Sequence, residues 1–182
     1  RDSKVILDNE FKDLHLITQK PCLYLANIKE DEENNRHLLK LTEYADSRSS
    51  KVLPLCNQIE SEISELEVNE REEFLKDMGM EEPGLNKLIR KSYELLELQT
   101  FFTAGKKEAR AWTIRKGSKA PQAAGEIHTD FEKGFIKADT ISYKDYIQFN
   151  GEAGCKEAGK LRSEGSDYEV KDGDVIHFKF NV

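Results

Sequence analysis

The chain has 182 residues, with 28 Lys and Arg against 35 Asp and Glu and a formal net charge of -7. That length fits one domain or two small ones. The acidity excludes a protein that coats nucleic acid with its whole surface, yet it leaves room for a local basic patch. With 37% apolar and 9% aromatic residues the chain can seed a core, which excludes wholesale disorder. No run nears the roughly 18 apolar residues of a membrane helix, so no membrane partner is expected.

Taken from the start, Arg1 to Leu7 carries no cap, and Asp8 can N-cap a short helix through Ile17. Pro21 to Asn27 (PCLYLAN) is a nearly continuous apolar run, as in a strand buried on both faces. Asp31 through Ser50 spaces Leu38, Leu39, Leu41, Tyr44 and Ala45 as a helix, and Lys51 to Leu55 is a second apolar run ending at Cys56. Strand, helix and strand over about thirty residues make a βαβ unit with a parallel sheet. Ile59, Ile63 and Leu66 then continue at helical spacing, and Asn69 with Glu72 fits a capping box. Pro83 can open a further helix whose buried stripe is Leu85, Leu88, Ile89, Ser92, Tyr93 and Leu96.

After Leu98 the texture turns β-rich, and a domain boundary is placed there. Gln99 to Thr103 and Glu108 to Ile114 form a hairpin, Ala120 to Phe131 holds a short helix after Pro121, and Gly134 to Ser142 is a strand. Tyr168 and Val170, then Ile176, Phe178 and Phe180, alternate around Asp172-Gly173 as a second hairpin. The expected fold is therefore α/β followed by α+β, the latter a mixed sheet gripping a helix.

The three cysteines, Cys22, Cys56 and Cys155, are odd in number and form no CxxC, which points to a reducing, cytoplasmic setting. Cys22 and Cys56 are expected as small buried residues in strands. In a parallel sheet, ligands bind at the carboxyl ends of the strands. Those ends are Asn27-Ile28-Lys29-Glu30 and Cys56-Asn57-Gln58. An amide such as Asn27 suits a purine edge, although Asn27 can equally just end its strand and Glu30 just begin the next helix. There is no GxxxxGK[ST] to cradle phosphates. Asp172-Gly-Asp174 lacks the spacing of a calcium loop and reads as a turn; no metal ligands are expected. Near His128, Thr129 or Asp130 is expected to cap a turn, with the histidine partly buried. His177 should face away from Ile176 and Phe178. Lys106, Lys107, Arg110, Arg115, Lys116 and Lys119 crowd the hairpin near Trp112, and could contact RNA phosphates or simply cover an exposed hairpin.

Longer stretches carry a specific resemblance. Leu98-Gln-Thr-Phe-Phe-Thr-Ala-Gly105, Arg110-Ala-Trp-Thr-Ile114, Ala120-Pro-Gln-Ala-Ala-Gly125, Ile127 to Ile136 and Asp172 to Val182 closely resemble the YchF family of Obg-like ATPases, within the P-loop GTPase class. The resemblance implies that residues 98–182 are a TGS domain, a β-grasp fold like ubiquitin. It implies that 19–97 are the C-terminal part of a G domain and 1–18 the end of a helical, coiled-coil insertion. Ordinary GTPases carry NKxD; Asn27-Ile-Lys-Glu30 has the family's NxxE form, implying a preference for ATP over GTP. By that carry-over Asn27 touches the adenine edge, Ile28 meets the base through its backbone, and Cys56 begins the loop on the other side. The family hydrolyses nucleotide slowly, with Mg²⁺, and binds ribosomes. Family members are roughly twice this length, with the phosphate loop and switches outside this sequence. The chain alone is therefore expected to be catalytically inactive. The alternative is a non-enzymatic TGS module that binds RNA or protein.

Overall fold

A computed structural model describes residues 16–29, 35–105 and 107–181. The helix expected from Asp8, together with Glu30 and Lys106, lies outside them. The chain divides into two compact units, Arg1–Leu96 and Glu97–Val182. Among the described residues no helix is long and apolar enough to cross a membrane.

The first unit is built on the expected βαβ crossover. β1 (Leu23–Asn27) and β2 (Lys51–Leu55) run parallel, from Leu23 opposite Lys51 to Asn27 opposite Leu55. Between them lies α1 (Arg36–Asp46), whose first turn is capped by Asn35 accepting the His37 N–H at 2.7 Å. Then follow α2 (Asn57–Glu65), α3 (Val68–Asp77) and α4 (Gly84–Leu95). The capping box falls at Glu67 and Glu70 rather than Asn69 and Glu72. Leu66 and Glu67 are both extended, so the helix starts at Val68.

Burial corrects three expectations in this unit. Leu25 in β1 is 46% exposed, so that strand is not covered on both faces. Of the stripe expected on α4, Leu85, Ile89 and the C-cap Leu96 are exposed, and Leu88, Ser92 and Tyr93 are half-buried. A parallel sheet needs layers on both faces, and two strands supply too little surface to bury either stripe. Cys22 is exposed ahead of β1, and Cys56 is half-buried after β2, at the N-cap of α2. The buried thiol is Cys155.

The second unit is a five-stranded mixed sheet holding one helix. The hairpin is β3 (Leu98–Ala104) and β4 (Ala109–Arg115); then come α5 (Ala120–Ile127), α6 (Thr129–Lys133), β5 (Phe135–Ser142), α7 (Tyr143–Gln148), α8 (Glu152–Glu157), β6 (Arg162–Glu164) and β7 (Asp174–Phe180). The strand order is β4-β3-β7-β5-β6, with β7 parallel to β3 and antiparallel to β5. Small side chains let α5 sit close on the sheet. Ala120, Ala123 and Ala124 are fully buried against a cluster containing Phe101, Ile114, Val170, Ile176 and Phe178.

The expected hairpin around Asp172-Gly173 does not form. Tyr168 to Val170 is not a strand but lies along the start of α5, with the Ala120 N–H donating to Tyr168 O (2.8 Å) and the Val170 N–H to Ser118 O (3.0 Å). The turn is tied elsewhere. The Asp172 carboxylate accepts the Thr100 N–H at 2.8 Å, and the Gly173 N–H donates to Thr100 O at 2.8 Å. Gly173 supplies the positive φ of +80° that this turn needs. β7 is thereby steered between β3 and β5.

Candidate functional site

The parallel register brings the carboxyl ends of β1 and β2 side by side, and two hydrogen bonds lace the loops that leave them. The Asn57 N–H donates to the Asn27 side-chain carbonyl at 3.2 Å. The Ile28 N–H donates to Leu55 O at 3.0 Å. Asn27 is exposed, and Ile28 and Cys56 are half-buried. Among the described residues the Asn27 amide NH₂ has no protein partner, so it keeps two donors for a ligand. Three of the residues expected at a base therefore meet at one edge, while the fourth, Glu30, is not described.

Beside these loops lies a small cavity of about 160 Å³, lined by Ile28, Lys29, Leu55, Cys56, Glu60 and Gly84 among others. Its back wall is held by Glu60. One carboxylate oxygen accepts the Gly84 N–H at 2.7 Å and the other the Leu85 N–H at 3.0 Å. A carboxylate there satisfies two of the orphan donors of α4 and suits its dipole. Sequence reading missed this clamp, because residues 24 apart carry no local signal. Asn57, in the second of the two expected loops, enters through its backbone N–H, which that reading did not assign. The cavity is smaller than the roughly 300–1,000 Å³ of sites that enclose a whole ligand. By itself it therefore encloses only part of a ligand.

Among the described residues the hairpin cations do not form one patch. Lys107 and Arg110 are at the turn end, whereas Arg115 and Lys116 are at the far end, about 17 Å along a strand rising roughly 3.3 Å per residue. Arg110 shares a face of β4 with Trp112, and Arg115 points to the other face. The Arg110 guanidinium lies 4.0 Å from the centre of the Trp112 ring. Lys119 pairs with Asp167 at 2.8 Å, which raises the lysine pKa and lowers that of the carboxylate.

Other candidates resolve as structure. His128 is exposed rather than partly buried. It is itself the cap, its Nδ1 accepting the Asp130 N–H at 3.1 Å, because its extended backbone turns the ring toward the start of α6. His177 is exposed while Ile176 and Phe178 are buried. Asp174 is buried and accepts from the Tyr168 hydroxyl (2.6 Å) and the Lys171 N–H (2.9 Å), with Arg162 at 3.6 Å. It is a fully engaged structural carboxylate. Among the described residues no group of three or more His, Cys, Asp or Glu is placed to hold a metal.

Comparison with known proteins follows the same division. Residues 98–181 match the family YchF-GTPase_C, described as a protein of unknown function (DUF933). The chain is 59% identical over 172 residues to the ribosome-binding ATPase YchF of Haemophilus influenzae, covering 94% of this chain and 47% of that protein. It is 54% identical over 175 residues to the ribosome-binding ATPase YchF of Bacillus subtilis, with coverage of 94% and 48%. The solved Schizosaccharomyces pombe YchF GTPase matches 93% of this chain and 46% of its own, at a TM-score of 0.79 and 37% identity. A GTP binding protein from Pyrococcus horikoshii matches at a TM-score of 0.61 and 22% identity, which concerns the fold alone. The chain thus spans about half the length of the curated relatives it matches.

Proposed function

Given that the chain belongs to the YchF family, we propose that its first unit carries the base-reading edge of a nucleotide site and its second unit a ribosome-facing module. In this reading residues 19–97 are the end of a G domain and 98–182 a TGS domain. The observation that carries it is the hydrogen bond from Asn57 to Asn27. It engages the Asn27 side-chain carbonyl and leaves the NH₂ without a partner among the described residues, next to the loop that begins at Cys56. That NH₂ donates to the purine edge, and the backbone of Ile28 meets the ring. Glu30 stands where a guanine-reading aspartate stands in NKxD, which favours adenine.

Phosphoryl transfer belongs to the longer protein. A nucleoside triphosphate bound with Mg²⁺ supplies the phosphoanhydride and its charge neutralisation. What this chain contributes is binding and orientation of the base. Calorimetry with ATP and GTP, on this chain and on the full gene product, tests the reading. The full protein should bind ATP more tightly than GTP, and Asn27→Ala should weaken ATP by about tenfold, the cost of one good hydrogen bond. The isolated chain should bind weakly and show no turnover; robust hydrolysis by it would refute the division of labour.

The second unit supports RNA contact, in a cytoplasmic setting on the ribosome, through a specific observation. Among the described residues Lys107 and Arg110 have no carboxylate partner, a state they share with Arg115, Lys116, Lys133, Lys144, Lys156, Lys171 and Lys179, but of these cations only Arg110 is held over an aromatic ring, that of Trp112 at 4.0 Å, beside a cavity. Charge reversal at Lys107 and Arg110 should abolish a salt-dependent ribosome pull-down.

A further inference from the structure

We propose that the second unit holds a stacking site for one base of single-stranded RNA, in the groove between the β3–β4 turn and the end of β7. The proposal rests on the RNA-facing part of the reading above and assigns it a place. Its origin is a difference in strand length. β3 meets β7 with Phe102 opposite Val175. Two residues of β3 remain beyond that point and five of β7, so β7 runs on past its neighbour. A cavity of about 320 Å³ opens there, lined by Thr103, Gly105, Trp112, Phe131, His177 and Phe180 among others. That volume is in the range of sites for small organic groups.

The walls are aromatic and fixed. The Trp112 indole N–H donates to Thr103 Oγ1 at 2.9 Å, and Phe101 stacks parallel to the indole at 6.5 Å. Phe131 and Phe180, which also line the cavity, stack at 3.8 Å, with Phe180 still 36% exposed. The partly exposed Phe180 ring, and the guanidinium plane that Arg110 lays over Trp112, are flat surfaces on which a base can stack.

Charge selects among planar guests. Arg110 is held over Trp112 at 4.0 Å, which keeps its guanidinium in place without using up its donors. Lys107 lies in the adjoining turn. Lys179 neighbours His177 at 3.3 Å, and Glu108 is the carboxylate among the lining residues. An aromatic side chain of a protein would fill the slot but leave Arg110 and Lys107 unpaired. A base on a phosphodiester chain fills the slot and pairs both. In a chain of net charge -7, a cationic rim around an aromatic slot is the arrangement single-stranded nucleic acid requires.

Trp112 is the single tryptophan of the chain, so its fluorescence reports on this groove directly. The full chain is titrated with oligouridylate and oligoadenylate of about ten nucleotides, while anisotropy of end-labelled RNA reports binding anywhere. Saturable quenching that weakens with salt is expected, with little from a duplex of equal length. Arg110→Ala and Phe180→Leu should each weaken it by about tenfold, and Arg115→Ala should leave it unchanged. Arg110 is exposed, so its variant keeps the test independent of folding. RNA binding without quenching, lost on Arg115→Ala and indifferent to Arg110→Ala, would overturn the groove and leave the RNA reading intact. No anisotropy change at all would overturn both. Quenching by an aromatic peptide but not by RNA would assign the groove to a protein.

Discussion

Both oxygens of the Glu60 carboxylate are occupied by the first two N–H groups of α4, and Gly84 is where the helix comes closest. A Cβ at Gly84 would stand 2.5 Å from Leu55 Cδ1 and 2.6 Å from Glu60 Oε1. Gly84→Ala should therefore push α4 off its clamp and destabilise the first unit by about 1–3 kcal/mol, as overpacking does; urea unfolding followed by circular dichroism checks this. Tyr168 offers a pH test. Burial and its hydrogen bond to Asp174 push its pKa up to about 12, against an ordinary value near 10. The folded state thus holds this proton more tightly than the unfolded chain. The stabilisation is complete below pH 10 and is lost as pH climbs through about 12. Thermal melts should show wild type losing stability across that window, with Tyr168→Phe losing less. At this scale the sequence was partly readable. Asn27 stood out because it closes a parallel strand, where ligands bind, although its spacing fitted a structural strand end equally well. Glu60 and Tyr168 act across 24 and 6 residues, where no periodicity links partner to partner.

Elements were legible where period or composition was strong. The runs PCLYLAN and KVLPL gave β1 and β2, and the alternation around Phe101 and Trp112 gave the first hairpin. α7 and α8 have six residues each, too few for a 3.6-residue period to declare itself. The hairpin expected at Asp172-Gly173 had the right turn residues and the right alternation. It was overridden by Thr100, whose backbone N–H and C=O both bind that turn. Tertiary hydrogen bonds of this kind are invisible to local pattern. The seat of α5 makes a sharp prediction. Ala124 is fully buried beneath the helix, so Ala124→Leu should cost about 1–3 kcal/mol by forcing the helix off the sheet. A lower urea midpoint, read by Trp112 fluorescence, is the expected outcome.

For the whole molecule, the buried apolar residues are unevenly shared. Among the described residues, Ala45, Leu55 and Ile63 are buried in the first unit, against Phe101, Ile114, Val170, Ile176, Phe178 and seven others in the second. In the first unit the strand β1, patterned for burial on both faces, lies in a two-stranded sheet with Leu25 half in water, and Leu39 on α1 is likewise exposed. The second unit is a complete layer pair with a closed core. The functions proposed above divide the same way: a base-reading edge in the first unit, and in the second an RNA-facing groove beside Lys107 and Arg110. The most direct measurement is a heteronuclear NMR titration of the 182-residue chain with ATP and with GTP at about millimolar concentration, where weak base contacts register. The expected result is a cluster of shifted amides at Ile28, Cys56 and Asn57, larger with ATP than with GTP. Silence at those amides, or shifts confined to Glu97–Val182, would contradict the assignment of the β1 and β2 loops to a purine base.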